Sequence, residues 1–146
     1  MFYWLFYLVF LEVYPIRESS ITGFTDSMIS REDLNFEISF YEKLLRKKPD
    51  FINALVALAE AYTRTGRYKE GLKIDQRLVE LKPADPIAHY NLACSYSLLK
   101  IADASLLALK KAIDLGYRDF AFIEKDQDLE FIRKDPRYKE LLSKHG

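Results

Sequence analysis

Pro49 and Pro83 stand 34 residues apart, and the segments around them repeat in register. A shift of 34 lays Ala54 on Ala88, Leu58 on Leu92, Ala59 on Ala93 and Tyr62 on Tyr96. It also lays Leu72 on Leu106, Val79 on Ile113 and Leu81 on Leu115. Matches of type and size at one offset constrain the fold more than any other feature, because a fixed period in this range marks an array of stacked hairpins. Each unit of such an array buries its apolar face only against its neighbours. The pattern therefore speaks of architecture and not of a catalytic pocket.

Local signals divide the chain into helices. Ser30 to Asp33 has the form of a capping box, a hydroxyl followed three residues later by a carboxylate. It predicts a helix over 31–48 with a broad apolar face of Phe36, Ile38, Phe40, Tyr41, Leu44 and Leu45. Pro49 ends it, since the residue before a proline is driven away from helical angles. Asp50 is placed to cap a second helix over 51–64, with Leu55, Leu58, Ala59 and Tyr62 on its apolar side and Thr65-Gly66 as its break. A third helix is expected over 68–81, stopped by Lys82-Pro83. Asp85-Pro86, a capping carboxylate followed by proline at the first helical position, opens a fourth that reaches Leu98. A fifth runs over 102–115, with Gly116 placed to terminate it. Beyond it, short apolar clusters alternate with Asp126, Asp128 and Asp135-Pro136, which suggests two or three short helices covering the end of the stack.

A chain of 146 residues suffices for one domain with a core. Basic and acidic residues balance at 22 each, so no overall field draws the chain onto nucleic acid. Arg46-Lys47-Lys48 and Lys110-Lys111 lie at helix ends, where they complement the helix dipole. The single cysteine, Cys94, excludes an internal disulfide framework and a multi-cysteine zinc site. The opening run, Met1 to Leu11, carries no charge and is shorter than the roughly 20 apolar residues that span a bilayer. It lacks the basic start and small-residue cleavage site of a secretory signal, and its aromatic and β-branched density fits a strand better than an amphipathic helix. Four readings stand for it: a segment packed on the helical body or another subunit, a start codon assigned upstream of the natural one, a membrane-surface anchor through residues 1–14, and an atypical signal. Arg17 to Ser30 reads as a linker, although Ile21, Phe24 and Met28 fall at helical spacing.

With these residues in view, 52–85 resembles a tetratricopeptide repeat and 86–119 a second one. The family pattern places a bulky residue, then Leu and a small residue, then Tyr on the first helix. Here those are Leu55, Leu58, Ala59 and Tyr62, then His89, Leu92, Ala93 and Tyr96. The glycine of the intra-hairpin turn is Gly66, with Lys100 in its place in the second unit. The small residue early in the second helix is Gly71, then Ser105, and the later small site holds Leu78, then Ala112. Asp75 and Leu109 replace the usual aromatic, and Tyr117 replaces the closing proline that Pro83 supplies in the first unit. The resemblance implies an all-α fold, a right-handed superhelical stack of helix-turn-helix hairpins. The helix over 31–48 resembles the second half of a preceding, degenerate unit and would cap the N-terminal end, after an apolar segment and linker over 1–30. The tail over 120–146 resembles the helical segment that closes many bacterial arrays of this family.

Candidates for catalysis are few. His89 and His145 have no metal-ligand spacing, and His89 falls at a packing position. Cys94 has no base nearby in sequence and reads as a small packing or groove-lining residue. Glu124, Asp126, Asp128 and Glu130 lack the glycine and spacing of a calcium loop and read as a solvated face with helix caps. There is no glycine-rich phosphate cradle, and the Tyr and Phe residues recur at core spacing and not as a base-stacking platform. The expectation is a protein that is not an enzyme and uses no cofactor and no metal.

In the family the first helix of each unit lines the inner wall of a curved stack. The resemblance therefore implies contacts at Asn53, Val56, Ala57, Glu60, Thr63 and Arg64, and in the second unit at Ile87, Tyr90, Asn91, Cys94, Ser97 and Leu98. Members that grip a terminal carboxylate use Lys and Asn on the first unit, where Val56 and Glu60 stand here, which argues against that mode. Tyr90 and Asn91 lead the set, because Tyr presents rigid amphipathic area and Asn pairs with backbone. The expected role is a cytoplasmic scaffold holding a protein or peptide partner on its concave face. The alternatives are self-assembly into a homo-oligomer through an open end of the stack, and a membrane-peripheral assembly factor using the apolar N-terminus.

Overall fold

The computed structural model describes residues 31–145, and its regular elements there are helices alone. Helix α1 spans Arg31–Lys47, α2 Ile52–Arg64, α3 Tyr68–Leu81, α4 Pro86–Leu98 and α5 Ala102–Asp114. Shorter pieces follow: α6 over Phe120–Lys125, a 3-10 turn over Gln127–Leu129, α7 over Glu130–Arg133 and α8 over Pro136–Ser143. Each of the first five helices packs on its neighbours in sequence, which makes a stack in which α2–α3 and α4–α5 are the two complete hairpins. The C-terminal pieces fold back on α4 and α5.

The hairpin turns follow from backbone geometry. Gly66 adopts φ of 74° after α2, a left-handed conformation that favours glycine. The Arg67 amide then closes back onto the Tyr62 carbonyl at 2.8 Å. Lys100 holds the same place after α4 with φ of 61°, and the Ile101 amide closes onto Tyr96 at 2.9 Å. The repeat thus keeps the turn even where it loses the glycine. Asp85 caps α4 as expected, its Oδ1 accepting from the Ile87 amide at 2.9 Å with Pro86 at the first helical position. Asp50 does not cap α2. Phe51 occupies the N-cap position, and Asp50, one residue too early, instead pairs with Arg77 of α3 at 2.6 Å. The expected cap at Ser30 lies outside the described residues.

Small residues set the distance within each hairpin. A Cβ built on Gly71 would sit 3.7 Å from the Ala59 carbonyl oxygen and from the Tyr62 Cβ, so α3 lies directly against α2 there. In the second hairpin Ser105 occupies the equivalent place and donates to the Ala93 carbonyl at 2.7 Å, both residues fully buried. The largest core joins this second hairpin to the C-terminal pieces, with Leu109, Ile113, Ile123, Leu129 and Ile132 wholly enclosed. Smaller clusters hold the first hairpin, one through Ile38, Leu58, Ala61 and Tyr62 to α1, the other through Leu55, Leu78 and Ala88 to α4. The Tyr62 hydroxyl donates to Glu42 of α1 at 2.6 Å, and burial together with that carboxylate pushes it up to about 12.

Asp75, where the family pattern has an aromatic, is buried at the seam between α3 and α4. Its Oδ2 accepts from the Ser95 hydroxyl at 2.5 Å, while Oδ1 finds no partner among the described residues. Burial raises the carboxyl to about 6, and the Ser95 bond only partly opposes it. A carboxyl raised on folding penalises its charged form, so the destabilisation is complete above pH of about 6 and fades as pH falls toward the ordinary 3.8. The chain is therefore expected to gain stability between pH 7 and pH 4 from this group, on the order of 3 kcal/mol. Urea denaturation of Asp75→Asn, which keeps an acceptor for Ser95, should show that part of the pH slope removed. Equal slopes in the two proteins would contradict the assignment.

Candidate functional site

The positions expected to face inward separate into two groups. On α4, Tyr90, Cys94 and Ser97 are all buried, and Tyr90 and Cys94 lie in the core shared with the chain's own C-terminal segment. The Tyr90 ring stacks on Tyr117 at 4.4 Å between centroids, with 3° between planes, and Phe122 tilts against it at 6.1 Å. Its hydroxyl donates to Asp126 Oδ2 at 2.5 Å, and Cys94 Sγ lies 3.7 Å from the same carboxylate oxygen. Burial, then the Cys94 thiol and Asp126, push the Tyr90 hydroxyl far above its ordinary value, and burial likewise raises the Cys94 thiol. Both groups stay protonated and inert. Ser97 has no exposed surface, and its hydroxyl has no partner among the described residues.

Asp126 organises this closure. Its Oδ1 accepts from the Asp128 amide at 3.0 Å, capping the 3-10 turn, and its carbonyl accepts from Arg133 at 2.6 Å. The acidic run thus divides: Glu124 and Glu130 are exposed, as expected of a solvated face, and its middle is not. Asp126 and Asp128 are half-buried, and burial followed by Asp126 raises the Asp128 carboxyl. The expected capping role holds at Asp126. Tyr138 of α8 adds a hydrogen bond from its hydroxyl to the Ile123 carbonyl at 3.1 Å, and Arg137 bridges Asp135 and Asp103 at 2.7 and 2.8 Å.

On α2 the wall is open. Asn53 and Arg64 are exposed, and Val56, Ala57, Glu60 and Thr63 are half-buried. Asn91 is half-buried and Ile87 exposed on α4, so they continue the accessible wall past the closed portion, while Leu98 is half-buried near the end of that helix. Two residues that inward-facing repeat positions could not identify join this surface from α1. Glu37 lies within electrostatic reach of Arg64 and Glu60, and Tyr41 within reach of Glu37 and Glu60. Burial raises both glutamates, with Arg64 pulling each back. Among the described residues neither carboxylate has a hydrogen bond or ion pair. The signal for α1 was the apolar pattern of a core face, which says nothing about the charged edge beside it.

Nothing among the described residues assembles chemistry. No three His, Cys, Asp or Glu side chains come together there as a metal site. His89 is buried with a ring nitrogen 2.9 Å from the Pro83 carbonyl oxygen, a packing contact between the hairpins' connecting turn and α4. No described helix is long and apolar enough to cross a membrane, and the apolar run Met1 to Leu11 with its linker lies outside the described residues.

Stacked hairpins interlocked through small residues define a helical-repeat fold. The model of the tetratricopeptide repeat family matches residues 38–93, from within α1 to within α4. The chain thus resembles that family in sequence and in helical stacking. It is 30% identical over 130 residues to a protein of Arabidopsis thaliana whose name describes it as chloroplastic, an alignment covering 87% of this chain. The chain spans 37% of that relative's length.

Replacing Asp126 by Ala removes the acceptor of Tyr90, the neighbour of Cys94 and the cap of the 3-10 turn together. The expected loss is about 3 kcal/mol of stability. Hydrogen exchange should show α7 amides opening faster in Asp126→Ala, with α2 amides unchanged. Uniform loosening of both would contradict a closure local to the second hairpin.

Proposed function

We propose that this chain is a protein-binding module whose working surface is the open inner wall of the first hairpin. Tetratricopeptide repeats generally mediate protein–protein contact, and Asn53, Val56, Glu60 and Arg64, continued by Asn91 on α4, form the surface that remains accessible for it. Tyr90 and Cys94 serve the same wall differently, as the floor on which the C-terminal segment rests, and Ser97 is buried. The observation that carries this reading is that contrast: the expected inward positions of the first unit stay exposed or half-buried, whereas Tyr90 and Cys94 of the next are covered by residues 117–129. The partner would be an extended peptide or a helix that combines apolar contact at Val56 with hydrogen bonds at Asn53 and Asn91.

In this reading residues 52–85 and 86–119 are the repeat units, 31–48 covers one end, and 120–146 is the closing segment of the array. Binding and not catalysis is its work. The relative's printed name places that protein in a chloroplast, which makes a plastid site the alternative to a cytoplasmic one for this chain.

Affinity capture tests the surface. Native chain and Tyr90→Phe should retain the same partners, because the phenyl ring preserves the stack on Tyr117 away from the open wall. A Val56→Arg, Asn53→Ala double change should lose them at least tenfold; because Val56 also packs against the Leu55–Leu78–Ala88 cluster, Asn53→Ala alone, at an exposed side chain, should weaken capture in the same direction with an unchanged unfolding midpoint. Partners kept equally by the double variant would overturn the choice of wall.

A further inference from the structure

Helices α6, α7 and α8 leave between them a cleft of about 590 Å³. That volume falls within the range of sites that enclose small organic ligands, roughly 300–1,000 Å³. Phe120, Tyr138 and Leu142 give it an apolar lining, and all three are held by the largest core, so its walls are fixed. Glu124, Lys139 and Ser143, all exposed, border it, and Arg133 completes it. Helix periodicity puts them there. Phe120 and Glu124 stand one turn apart on α6, as do Tyr138 and Leu142, and Lys139 and Ser143, on α8.

The two cations on this cleft are unspent. Elsewhere on the same segment Arg137 is held by Asp103 and Asp135, and Lys144 by Glu140. Arg133 and Lys139 pair with no carboxylate among the described residues. Arg133 lies beside the Tyr138 hydroxyl and donates from Nη2 to the Asp126 carbonyl. Its Nε is enclosed and finds no acceptor there, a state that buried donors rarely keep. Against these two cations the cleft sets one carboxylate, Glu124, which leaves room for a single added negative charge and opposes a dianion. We propose that this cleft binds a carboxylate carried on an apolar body, with the acid group at Arg133 and Lys139 and the body against Phe120, Tyr138 and Leu142. A guanidinium is weakly hydrated, so it meets a carboxylate beside apolar surface at less cost than an ammonium does. A free organic acid and the end of a peptide that finishes in an apolar residue share this chemistry. The site is separate from the inner wall of α2 and α4 and does not depend on it.

NMR titration of the full chain with 4-phenylbutyrate should shift the amides of α6, α7 and α8. The acid should bind about fivefold tighter than 4-phenylbutyramide, its neutral counterpart. Acetate, which lacks the body, and phenyl phosphate, which carries more charge, should both bind more weakly. Lys139→Gln should weaken the acid about threefold, with the parent's unfolding midpoint kept. Ser143→Tyr, which fills the cleft from its exposed edge, should weaken it about tenfold. Arg133→Gln should remove the preference for acid over amide. Because that change also loses the bond to Asp126, Arg133→Lys, which keeps the charge, should restore part of the preference. Asn53→Ala on the inner wall should leave acid binding unchanged. Tighter binding of N-acetyl-leucyl-phenylalanine than of phenylbutyrate assigns the site to a peptide end, and the reverse to a free acid; either supports it. The proposal is overturned by absence of shifts at about 10 mM acid, or by amide, acetate or phenyl phosphate binding as tightly as the acid. It is equally overturned by binding that survives both Lys139→Gln and Ser143→Tyr, or that is lost in Asn53→Ala.

Discussion

The stack depends on how closely two helices of one hairpin can approach. Gly71 against Ala59, and Ser105 against Ala93, are the places where one helix meets the backbone of the other. Larger side chains at either contact would hold the pair apart, because helices packed at 8–10 Å leave room only for small groups at the crossing point. Once that spacing is set, Leu58 and Tyr62 reach the cluster shared with α1, and Leu55 and Leu78 reach Ala88 of the next hairpin. Each neighbour contact therefore inherits its register from the contact inside a hairpin. This is the structural meaning of the 34-residue period.

The two hairpins share that scaffold and then diverge in use. The second is built into the largest core, and the C-terminal pieces lay Ile123, Leu129 and Ile132 over it with no surface left exposed. A repeat stack leaves an apolar side on its last unit unless something covers it, and here that side is covered. The chain achieves this by sending its own segment across the inner wall, through the Tyr90–Asp126 bond and the Tyr90–Tyr117 stack. The same act covers Tyr90 and Cys94 and leaves Ile87 and Asn91 accessible. The first hairpin and α1 are left with the accessible surface and with the Glu37 and Glu60 carboxylates at their seam.

Much of the architecture was legible before any coordinates. Helix boundaries followed from Asp85-Pro86, Thr65-Gly66 and Gly116, because caps and breaks are local physics. The Asp50 cap misread by one position, since a salt bridge to Arg77 across the hairpin outcompeted a local turn. The family pattern located the small residues correctly but could not report that Asp75 replaces an aromatic by pairing with Ser95 in the next hairpin, a contact 20 residues distant. Inward-facing positions were legible as positions only. Whether Tyr90 or Val56 is open depends on where residues 117–129 travel, and that path is decided by long-range burial of Ile123 and Leu129, which no periodicity encodes. Asp126 and Asp128 looked solvated for the same reason.

The close approach at Gly71 is tested most directly by comparing Gly71→Ala with Gly71→Leu in equilibrium denaturation. A methyl there makes ordinary contacts at 3.7 Å and improves helix propensity, so the alanine variant should match or exceed the parent by up to about 1 kcal/mol. The leucine variant should lose about 2 kcal/mol or more, since the added carbons would meet the backbone of α2. If leucine is tolerated as well as alanine, hairpin spacing is not what holds this stack in register.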